Sequence, residues 1–373
     1  MFTFKLPAKE IKINKLVIKL GTKQITDTKS INYENIKNLV EEISELKKSI
    51  KDIVLVVSGA IGLGRYEIFN GEEKQLSISE KQALAGVGQI ILMEVLRKEF
   101  KSKGMNIGQV LLTQDIFDNR KTYLNAKNTM GAMFELGVIP VINENDSVAT
   151  EEIKVGQNDT LGALVSLLID ADMYIMLTDT DGLYKNFNSH NRELIRIVER
   201  IEDYIVYAKD PENSFAKGGM ITKLNAAKIA CASGIPVIIA NGFKKNRLNL
   251  ILKDFSIGTL FLPSSKILNH KKKWILGKKP KGKLIVDDGA KEALRKNKSL
   301  LASGIKAIEG NFDYGDTVII LDDKQNEIAR GLVNYDSRQI ELIKGKKSEE
   351  IEKILGIENT HSSVVHIDNL ILL

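Results

Sequence analysis

Short apolar runs alternate with longer amphipathic segments over the first two-thirds of the chain. Continuous Val, Ile and Leu positions are typical of strands that are buried on both faces of a parallel sheet. Six such runs are present: Leu16–Leu20, Ile53–Val57, Ile107–Leu112, Val138–Ile142, Met173–Thr178 and Pro236–Ala240. Helix-length segments lie between them: Asn32–Lys48, Ser79–Lys103, Lys121–Leu136, Asp159–Ile169 and Met220–Ser233. This alternation predicts an α/β fold, with an open, mainly parallel sheet and helices on both faces.

Local signals predict where some of these helices begin and end. Ser79 with Gln82 three residues later is the pattern of a capping box. Gly104 follows a lysine-bearing last turn and predicts the end of the same helix. Asn158 is a favourable N-cap for the segment that begins at Asp159.

The pattern changes after about Gly258, where segments shorten and turn signals become frequent. Runs at Val318–Leu321 and Ile328–Val333 flank Asp322-Asp323, as the strands of an antiparallel hairpin would. The sequence therefore predicts a small, mostly-β second domain. We divide the chain into an N-terminal extension (1–14), an α/β domain (15–263), a basic linker (264–280), the small domain (281–359) and a C-terminal segment (360–373).

Charge and composition restrict the class of protein. The formal net charge is +6, but eight lysines and no acidic residue lie in 264–283, and the rest of the chain is close to neutral. That stretch is either a solvated connector, which we favour, or a phosphate-binding strip. The single cysteine, Cys231, cannot form an internal disulfide, and no apolar run approaches the roughly 20 residues of a membrane span. We expect a cytoplasmic protein without a signal peptide, a membrane segment or a classical zinc site.

Small and polar residues follow the predicted strands, at the edge of a parallel sheet where ligands bind. They lie in Lys19–Thr22, Ser58–Gly64, Asn143–Asp146 and Thr178–Tyr184, with Gly156–Asp159 soon after the third of these segments and Lys217–Lys223 before the last long helix. Glycines such as Gly21 and Gly59 let a phosphate approach the backbone, and Lys19 and Lys223 supply cationic charges. Neither a G-x-x-x-x-G-K-[ST] loop nor a G-x-G-x-x-G after the first strand is present, so a P-loop enzyme or Rossmann dehydrogenase is unsupported.

The motif set resembles the glutamate 5-kinase family of the amino-acid kinase superfamily. Its pieces are V-I-K-L-G-T, V-S-G-A-I, V-G-Q-I-I-L, V-I-P-V-I-N-E-N-D-S-V-A-T, V-G-Q-N-D, L-T-D-x-x-G-L-Y and G-G-M-I-T-K. The C-terminal region resembles a PUA domain through S-L-L-A-S-G-I, G-N-F-x-x-G-D, I-A-R-G-L-V-N-Y and I-L-G. The resemblance implies a three-layer αβα kinase domain. It also implies ATP-dependent phosphorylation of the side-chain carboxylate of L-glutamate to L-glutamyl 5-phosphate, the first step of proline biosynthesis.

The resemblance also implies roles for individual residues. Lys19, Lys223 and Asp159 would be catalytic, with Asp159 fixing the two ammonium groups. L-Glutamate would be bound by Ser58, Asn143, Asp146 and Asn158. ATP would be bound by Lys19, Thr178, Asp179, Lys217, Gly218, Gly219, Met220, Ile221, Thr222 and Lys223. The chain departs from the family pattern at Gln157, where many members carry Asp, and at Lys217, where a small residue is usual.

The chemistry of the reaction agrees with this residue set. A side-chain carboxylate has a pKa of about 4.3 and is already ionised at neutral pH, so it needs no general base. All four histidines lie outside the strand-end motifs. The reaction needs charge neutralisation instead, which two lysines and the Mg²⁺ of MgATP would supply. We expect Mg²⁺ mainly on phosphate oxygens and water, and we name no protein ligand for it.

Alternative functions remain open on sequence alone. Another amino-acid kinase would act on N-acetylglutamate, aspartate, carbamate or a nucleoside monophosphate. An RNA-binding protein would use the kinase fold as a scaffold, although RNA binding through the PUA domain is not expected. The family further implies proline as a feedback inhibitor and a homodimer or homotetramer.

Overall fold

The computed structural model describes residues 2–26, 31–70, 72, 74–149, 157–185, 192–208, 219–253, 255–264, 268–356 and 361–373. The chain forms two compact units. The first comprises residues 1–116 and 121–266, and the second comprises residues 117–120 and 267–373. None of the helices within the described ranges is long and apolar enough to cross a membrane.

The first unit contains the larger sheet. The strands of this part of the chain are β1 (Phe2–Lys5), β2 (Glu10–Ile13), β3 (Lys15–Leu20), β4 (Asp52–Val56), β5 (Asn106–Leu112), β6 (Val138–Glu144), β7 (Met173–Thr178), β8 (Tyr184–Lys185), β9 (Glu193–Leu194), β10 (Ile197–Val198), β11 (Val237–Asn241) and β12 (Thr259–Phe261). The helices are α1 (Thr22–Ile25), α2 (Tyr33–Leu46), α3 (Ala60–Phe69), α4 (Ile78–Ser102), α5 (Arg120–Glu135), α6 (Gln157–Leu168), α7 (Gly219–Ala232) and α8 (Arg247–Leu252).

Eight strands form the sheet, in the order β10-β12-β11-β7-β3-β4-β6-β5. The pairs from β11 to β5 are parallel, and β12 pairs with β11 in the antiparallel direction. The six predicted strands are confirmed and are neighbours in this sheet. The sequence analysis missed β10 and β12, which are only two and three residues long.

Residue alternation along β3 explains why the sheet is covered on both faces. Leu16, Ile18 and Leu20 belong to one apolar cluster with residues of α2, α4 and α8. Val17 is buried as well, and α6 contacts β3, β4, β6 and β7. Because successive strand side chains point to opposite faces, Lys19 lies on the same face as Val17, away from that cluster. The predicted three-layer arrangement is confirmed, and its alternation brings one lysine to the α6 side.

Two glycines shape the loop and helix that follow β4. Gly59 forms the N-cap of α3. Its φ is +111°, a backbone conformation that residues other than glycine rarely adopt. Gly88 of α4 lies so close to α3 that an added Cβ would stand 1.8 Å from the Ala60 carbonyl oxygen. The turn and the tight helix contact together fix residues 58–62 at the carboxyl end of β4.

The predicted capping box of α4 is wrong by two residues. The N-cap is Ser77, whose hydroxyl accepts a hydrogen bond from the Glu80 amide, while the Glu80 carboxylate accepts one from the Ser77 amide at 2.9 Å. The spacing is the same as in the predicted Ser79 and Gln82 pair, but a carboxylate is the better acceptor at the positive end of a helix. The predicted stop is confirmed: α4 ends at Ser102, and Gly104 has a φ of +71°.

Asn158 is not the N-cap of its helix. Helix α6 begins at Gln157, so Asn158 lies inside the first turn. Its side chain is therefore available to contact neighbouring strand ends.

The predicted N-terminal extension contains a folded hairpin. Strands β1 and β2 pair in the antiparallel direction, and Phe4 and Ile13 join the apolar cluster of the first unit.

The second unit contains a five-stranded sheet. Its strands are β13 (Gly282–Val286), β14 (Ile305–Gly310), β15 (Thr317–Leu321), β16 (Glu327–Leu332) and β17 (Leu370–Leu372), in the order β14-β13-β15-β16-β17. Its helices are α9 (His270–Gly277), α10 (Asp288–Arg295), α11 (Ser337–Ile343) and α12 (Ile351–Leu355). The predicted hairpin is confirmed as β15 and β16.

Helix α9 lies within the stretch predicted as a linker, and its Ile275 and Leu276 are buried. The predicted domain boundaries stay predictions.

Candidate active site

A cleft of about 460 Å³ opens at the carboxyl ends of β3, β4 and β7. The residues that follow these three strands line it, together with the first turns of α6 and α7. This is the sheet edge at which open α/β folds bind ligands. The strand-end motifs of the sequence therefore meet at one place.

Asp159 joins two lysines from separate elements. Lys19 of β3 places its Nζ atom 2.7 Å from Asp159 Oδ1, and Lys223 of α7 places its Nζ atom 3.1 Å from Oδ2. The Thr222 hydroxyl donates to Oδ2 at 3.1 Å. Asp159 is fully buried and Lys19 is 5% exposed. One carboxylate thus holds two ammonium groups at the floor of the cleft.

Burial sets the electrostatics of this cluster. Burial, aided by the Lys223 ammonium group, lowers the pKa of Lys19, and Asp159 opposes that shift. Burial alone would raise the pKa of Asp159, but Lys19 and Lys223 outweigh it and hold this pKa below its ordinary value. The cluster carries a net positive charge when both lysines are protonated, which suits an anionic ligand.

A hydrogen-bonded chain of side chains lines the cleft beside β4. The Asn158 amide group donates to Ser58 Oγ at 2.9 Å and to Asn143 Oδ1 at 3.2 Å. The Glu144 backbone amide donates to Oδ1 of both asparagines, at 2.9 Å for Asn143 and 3.3 Å for Asn158. The Asn143 amide group donates to Gln89 Oε1 at 2.8 Å.

The Glu144 backbone amide fixes the direction of the hydrogen bonds among these side chains. An N–H can only donate, so both asparagines must present their oxygens to Glu144. Their NH₂ groups therefore point to Ser58 and to Gln89, and Ser58 Oγ accepts from Asn158. The Ser58 hydroxyl proton is left to be donated into the cleft.

Asp146 lines the cleft from the loop that follows β6. Burial raises its pKa to about 6. The carboxylate is in no ion pair with a described side chain. It is an anion to which a bound cation would be attracted.

Thr178 and Asp179 line the side of the cleft that follows β7. The Thr178 hydroxyl donates to Asp179 Oδ1 at 3.2 Å, and Lys23 of α1 lies 2.6 Å from Oδ2. Burial raises the pKa of Asp179, but the hydrogen bond and charge of Lys23 lower it overall. Gly219 also lines the cleft, at the start of α7.

Most of the predicted site residues meet in this cleft. Those that line it are Lys19, Ser58, Asp146, Asn158, Asp159, Thr178, Asp179, Gly219, Thr222 and Lys223. Asn143 lies behind Asn158 and is 1% exposed. Met220 and Ile221 lie in the first turn of α7 and are not among the cleft-lining residues of the described chain. Lys217 and Gly218 lie outside the described residues.

The sequence analysis missed three polar residues of the cleft and one behind it: Lys23, Gln24, Lys81 and Gln89. The strand-end pattern covers only the residues close to each strand end. Lys81 and Gln89 lie on α4, well beyond the end of β4. The sequence signal that could have identified Lys81 and Gln89 is that they are two polar residues on the inner side of a long helix.

The carboxylates of the cleft bear on how a metal would be held. Asp159 is engaged by two lysines and Asp179 by Lys23. Across the described ranges, no group of three or more His, Cys, Asp or Glu side chains could hold a metal ion. A metal that arrives with a nucleotide, held by phosphate oxygens, fits this donor set.

Comparison with known proteins gives the family. The amino acid kinase family profile matches residues 14–241, and the PUA domain profile matches residues 282–355. The glutamate 5-kinase of Thermoanaerobacter sp. (strain X514) is 44% identical over 365 residues, which cover 96% of this chain and 98% of that protein. The glutamate 5-kinase of Dictyoglomus thermophilum is 45% identical, covering 96% of this chain and 97% of that protein. The chain belongs to the glutamate 5-kinase family and joins an amino acid kinase domain to a PUA domain.

Proposed function

We propose that this chain transfers the γ-phosphoryl group of ATP to the side-chain carboxylate of L-glutamate. A carboxylate oxygen forms the new bond to the γ-phosphorus, the bond from that phosphorus to the β–γ bridging oxygen breaks, and ADP leaves with the electron pair. The product is L-glutamyl 5-phosphate, which commits glutamate to proline biosynthesis. The observation that carries this proposal is the pair of lysines held by the buried Asp159, beside a cleft of amide and hydroxyl groups.

Lys19 and Lys223 have the charge that the transfer requires. An anionic acceptor has to approach a polyanionic triphosphate, and the negative charge on the transferring group is stabilised by cations held in place beforehand. Asp159 holds both ammonium groups, so little reorganisation is needed when the phosphates bind. We assign Lys19 to the transferring phosphoryl group and Lys223 to the nucleotide phosphates.

No residue has to act as a general base. The acceptor carboxylate is ionised at neutral pH, so no proton is removed before it attacks. Positioning and electrostatics therefore provide the catalysis.

The other half of the cleft suits an amino acid. We assign Asp146 to the α-ammonium group and the Ser58 hydroxyl to a carboxylate oxygen. Asn158 lines the cleft beside them, and its amide group holds Ser58 in place through a hydrogen bond to Oγ. Asn143 supports Asn158 from behind. We assign these four residues to glutamate.

ATP occupies the opposite side in this proposal. Thr178, Asp179, Gly219 and Thr222 line that side, and a helix N-terminus such as that of α7 suits phosphate oxygens. Lys217, Gly218, Met220 and Ile221 complete the predicted nucleotide segment. When bound, Mg²⁺ neutralises part of the phosphate charge, and we assign it to the phosphate oxygens of the nucleotide.

Trapping of the acyl phosphate tests the function. The protein is incubated with ATP, Mg²⁺, hydroxylamine and one acceptor, which is glutamate, aspartate or N-acetylglutamate. We expect glutamyl hydroxamate to form in strong preference to the other two products. Preferential reaction of N-acetylglutamate or aspartate would assign the chain to another amino-acid kinase, and absence of any hydroxamate would contradict the kinase proposal.

Partners and location remain predictions. Inhibition by proline is tested by adding proline to the same assay, and a homodimer or homotetramer by measuring the mass in solution. RNA binding is not expected, and salt-dependent RNA affinity that is lost when Lys271–Lys273 are neutralised would contradict that expectation. A cytoplasmic location is tested by fractionating cells.

A further inference from the structure

Four lysines line the cleft: Lys19, Lys23, Lys81 and Lys223. Three of them are held by carboxylates, since Lys19 and Lys223 contact Asp159 and Lys23 contacts Asp179. Lys81 forms no ion pair with any described side chain. It is therefore the one cleft lysine, among the residues that the structure describes, whose charge is not already matched.

The position of Lys81 is not explained by the stability of its helix. It lies one residue after Glu80 in the first turns of α4, near the positive end of the helix dipole, where a cation is unfavourable. Ser77 and Glu80 already satisfy the helix start. A positive charge placed there calls for an anion in the cleft.

The start of α4 is tied to the loop that carries Asp146. The Gln82 amide group donates to the Ala149 carbonyl at 2.9 Å, and the Ser147 hydroxyl lies 3.5 Å from the Gln82 carbonyl oxygen. Lys81 and Asp146 thus belong to two segments that are joined by hydrogen bonds, and both line the cleft. Neither is in an ion pair with the other or with another described side chain.

An unmatched cation and an unmatched anion in one cleft suit a dipolar ligand. An α-amino acid carries an ammonium group and a carboxylate on the same carbon atom. In the proposed function, Asp146 meets the ammonium group and the lysine cluster faces the side-chain carboxylate. The α-carboxylate still needs a cation, and Lys81 is available.

We propose that Lys81 binds the α-carboxylate of the substrate and so makes the enzyme specific for an α-amino acid over simpler carboxylates. This inference rests on the proposed function. A charge-assisted hydrogen bond contributes about 1.5–3 kcal/mol, so its loss is expected to lower kcat/KM for glutamate roughly 10- to 100-fold.

Two truncated substrates separate the roles of Lys81 and Asp146. 4-Aminobutyrate is glutamate without the α-carboxylate, and glutarate is glutamate without the α-ammonium group. Lys81→Met should lower kcat/KM for glutamate and for glutarate while leaving 4-aminobutyrate unchanged. Asp146→Asn should lower it for glutamate and 4-aminobutyrate and leave glutarate unchanged or improved. Phosphorylation is followed as ADP release, and inhibition constants against glutamate provide the same comparison for an analogue that turns over slowly.

Further variants exclude a general effect on the fold. Lys98→Met changes an exposed lysine of the same helix and should behave as the wild type. Lys81→Arg keeps the charge and should retain most of the glutamate activity. The KM for ATP should be the same in all four variants as in the wild type.

Three results would overturn the inference. They are an unchanged KM for glutamate in Lys81→Met, an equal loss with glutamate and 4-aminobutyrate, and a loss in Lys81→Arg as large as that in Lys81→Met. Each of them leaves the proposed function standing as long as the wild type forms glutamyl hydroxamate. If the wild type does not form it, the proposed function itself fails.

Discussion

Lys19 Nζ lies 2.7 Å from Asp159 Oδ1, and both side chains are almost completely buried. A buried ion pair is retained at a considerable desolvation cost, so it is weak evidence for stability. Here the pair faces the cleft and shares its carboxylate with Lys223. The arrangement holds positive charge ready for an anionic ligand, and this is its use in the proposed reaction.

Lys19→Ala should lower kcat by about 10²–10³ or more, on the scale for removing one preorganised electrostatic donor. The KM for glutamate should change much less, because Lys19 is assigned to the transferring group. Steady-state kinetics with both substrates measures this, and a thermal melt establishes that the variant is folded. Near-normal turnover in the folded variant would remove Lys19 from the mechanism.

Asp159→Asn should shift the alkaline limb of the pH profile to lower pH. Asp159 raises the pKa of Lys19 against the effects of burial and Lys223. Without that carboxylate, the ammonium group loses its proton at a lower pH, and the neutral amine no longer stabilises phosphate charge. The profile of kcat between pH 6 and 10 measures the shift. An alkaline limb at the wild-type position would show that Lys19 ionisation does not govern activity.

The pH profile of kcat/KM for glutamate should have an acid limb that is caused by Asp146. Burial raises its pKa to about 6 in the free protein. The carboxylate is neutral below that pH and no longer attracts an α-ammonium group, so kcat/KM for glutamate should fall as the pH decreases through about 6. Asp146→Asn should have low activity that does not change over this range. An acid limb near pH 6 that persists in Asp146→Asn would show that Asp146 does not cause it.

Much of the sheet could be predicted because its strands are buried on both faces. Continuous apolar runs such as Met173–Thr178 indicate central strands directly, and the predicted and observed bounds of that strand agree. Strand β12, which lies between β10 and β11, has only three residues, too few for a pattern. The start of α4 was placed two residues late because Ser77 and Ser79 both precede an acceptor side chain three residues later.

The site could be predicted as far as it lies at strand ends and near the starts of helices. Lys19 lies at the end of β3, Asp159 and Lys223 lie near the starts of α6 and α7, and the fold brings the three together. Lys81 and Gln89 are placed by the packing of α4 onto α3, which depends on a close approach of the two helix backbones at Gly88. Sequence pattern does not reveal such a contact.

Gln89→Met should raise the KM for glutamate about tenfold and leave the KM for ATP unchanged. The change removes the acceptor for the Asn143 amide group, so that a buried donor is unsatisfied and Asn143 can rotate. Asn158 and Ser58 then lose part of their fixed orientation. Gln109→Met is the control, because Gln109 and Gln89 both line a second cavity, next to the cleft, and Gln109 is exposed. Equal effects of the two variants, or an effect on ATP alone, would contradict this role.

Asp322→Ala should destabilise the second unit by about 2 kcal/mol at pH 7. The carboxylate is buried, which opposes ionisation, but Lys291 at 2.7 Å and the Asn326 backbone amide at 2.9 Å outweigh burial and lower its pKa to about 2. A depression of about two units from the unfolded value corresponds to roughly 2–3 kcal/mol. This stabilisation is present above about pH 4 and is lost as the pH falls toward 2. Urea unfolding followed by the fluorescence of Trp274, the single tryptophan, measures it in this unit.

Asp323→Ala provides the matched control for this last prediction. Asp323 is the neighbouring residue and also pairs with a lysine, Lys306, at 2.7 Å, but the pair is exposed to solvent. An exposed pair contributes only about 0–1 kcal/mol, so its removal should have a small effect. The difference in unfolding free energy between the two variants should therefore be large at pH 7 and should narrow between pH 4 and pH 3. Equal destabilisation by both changes, or a difference that does not vary with pH, would show that the Asp322 ion pair does not stabilise this unit.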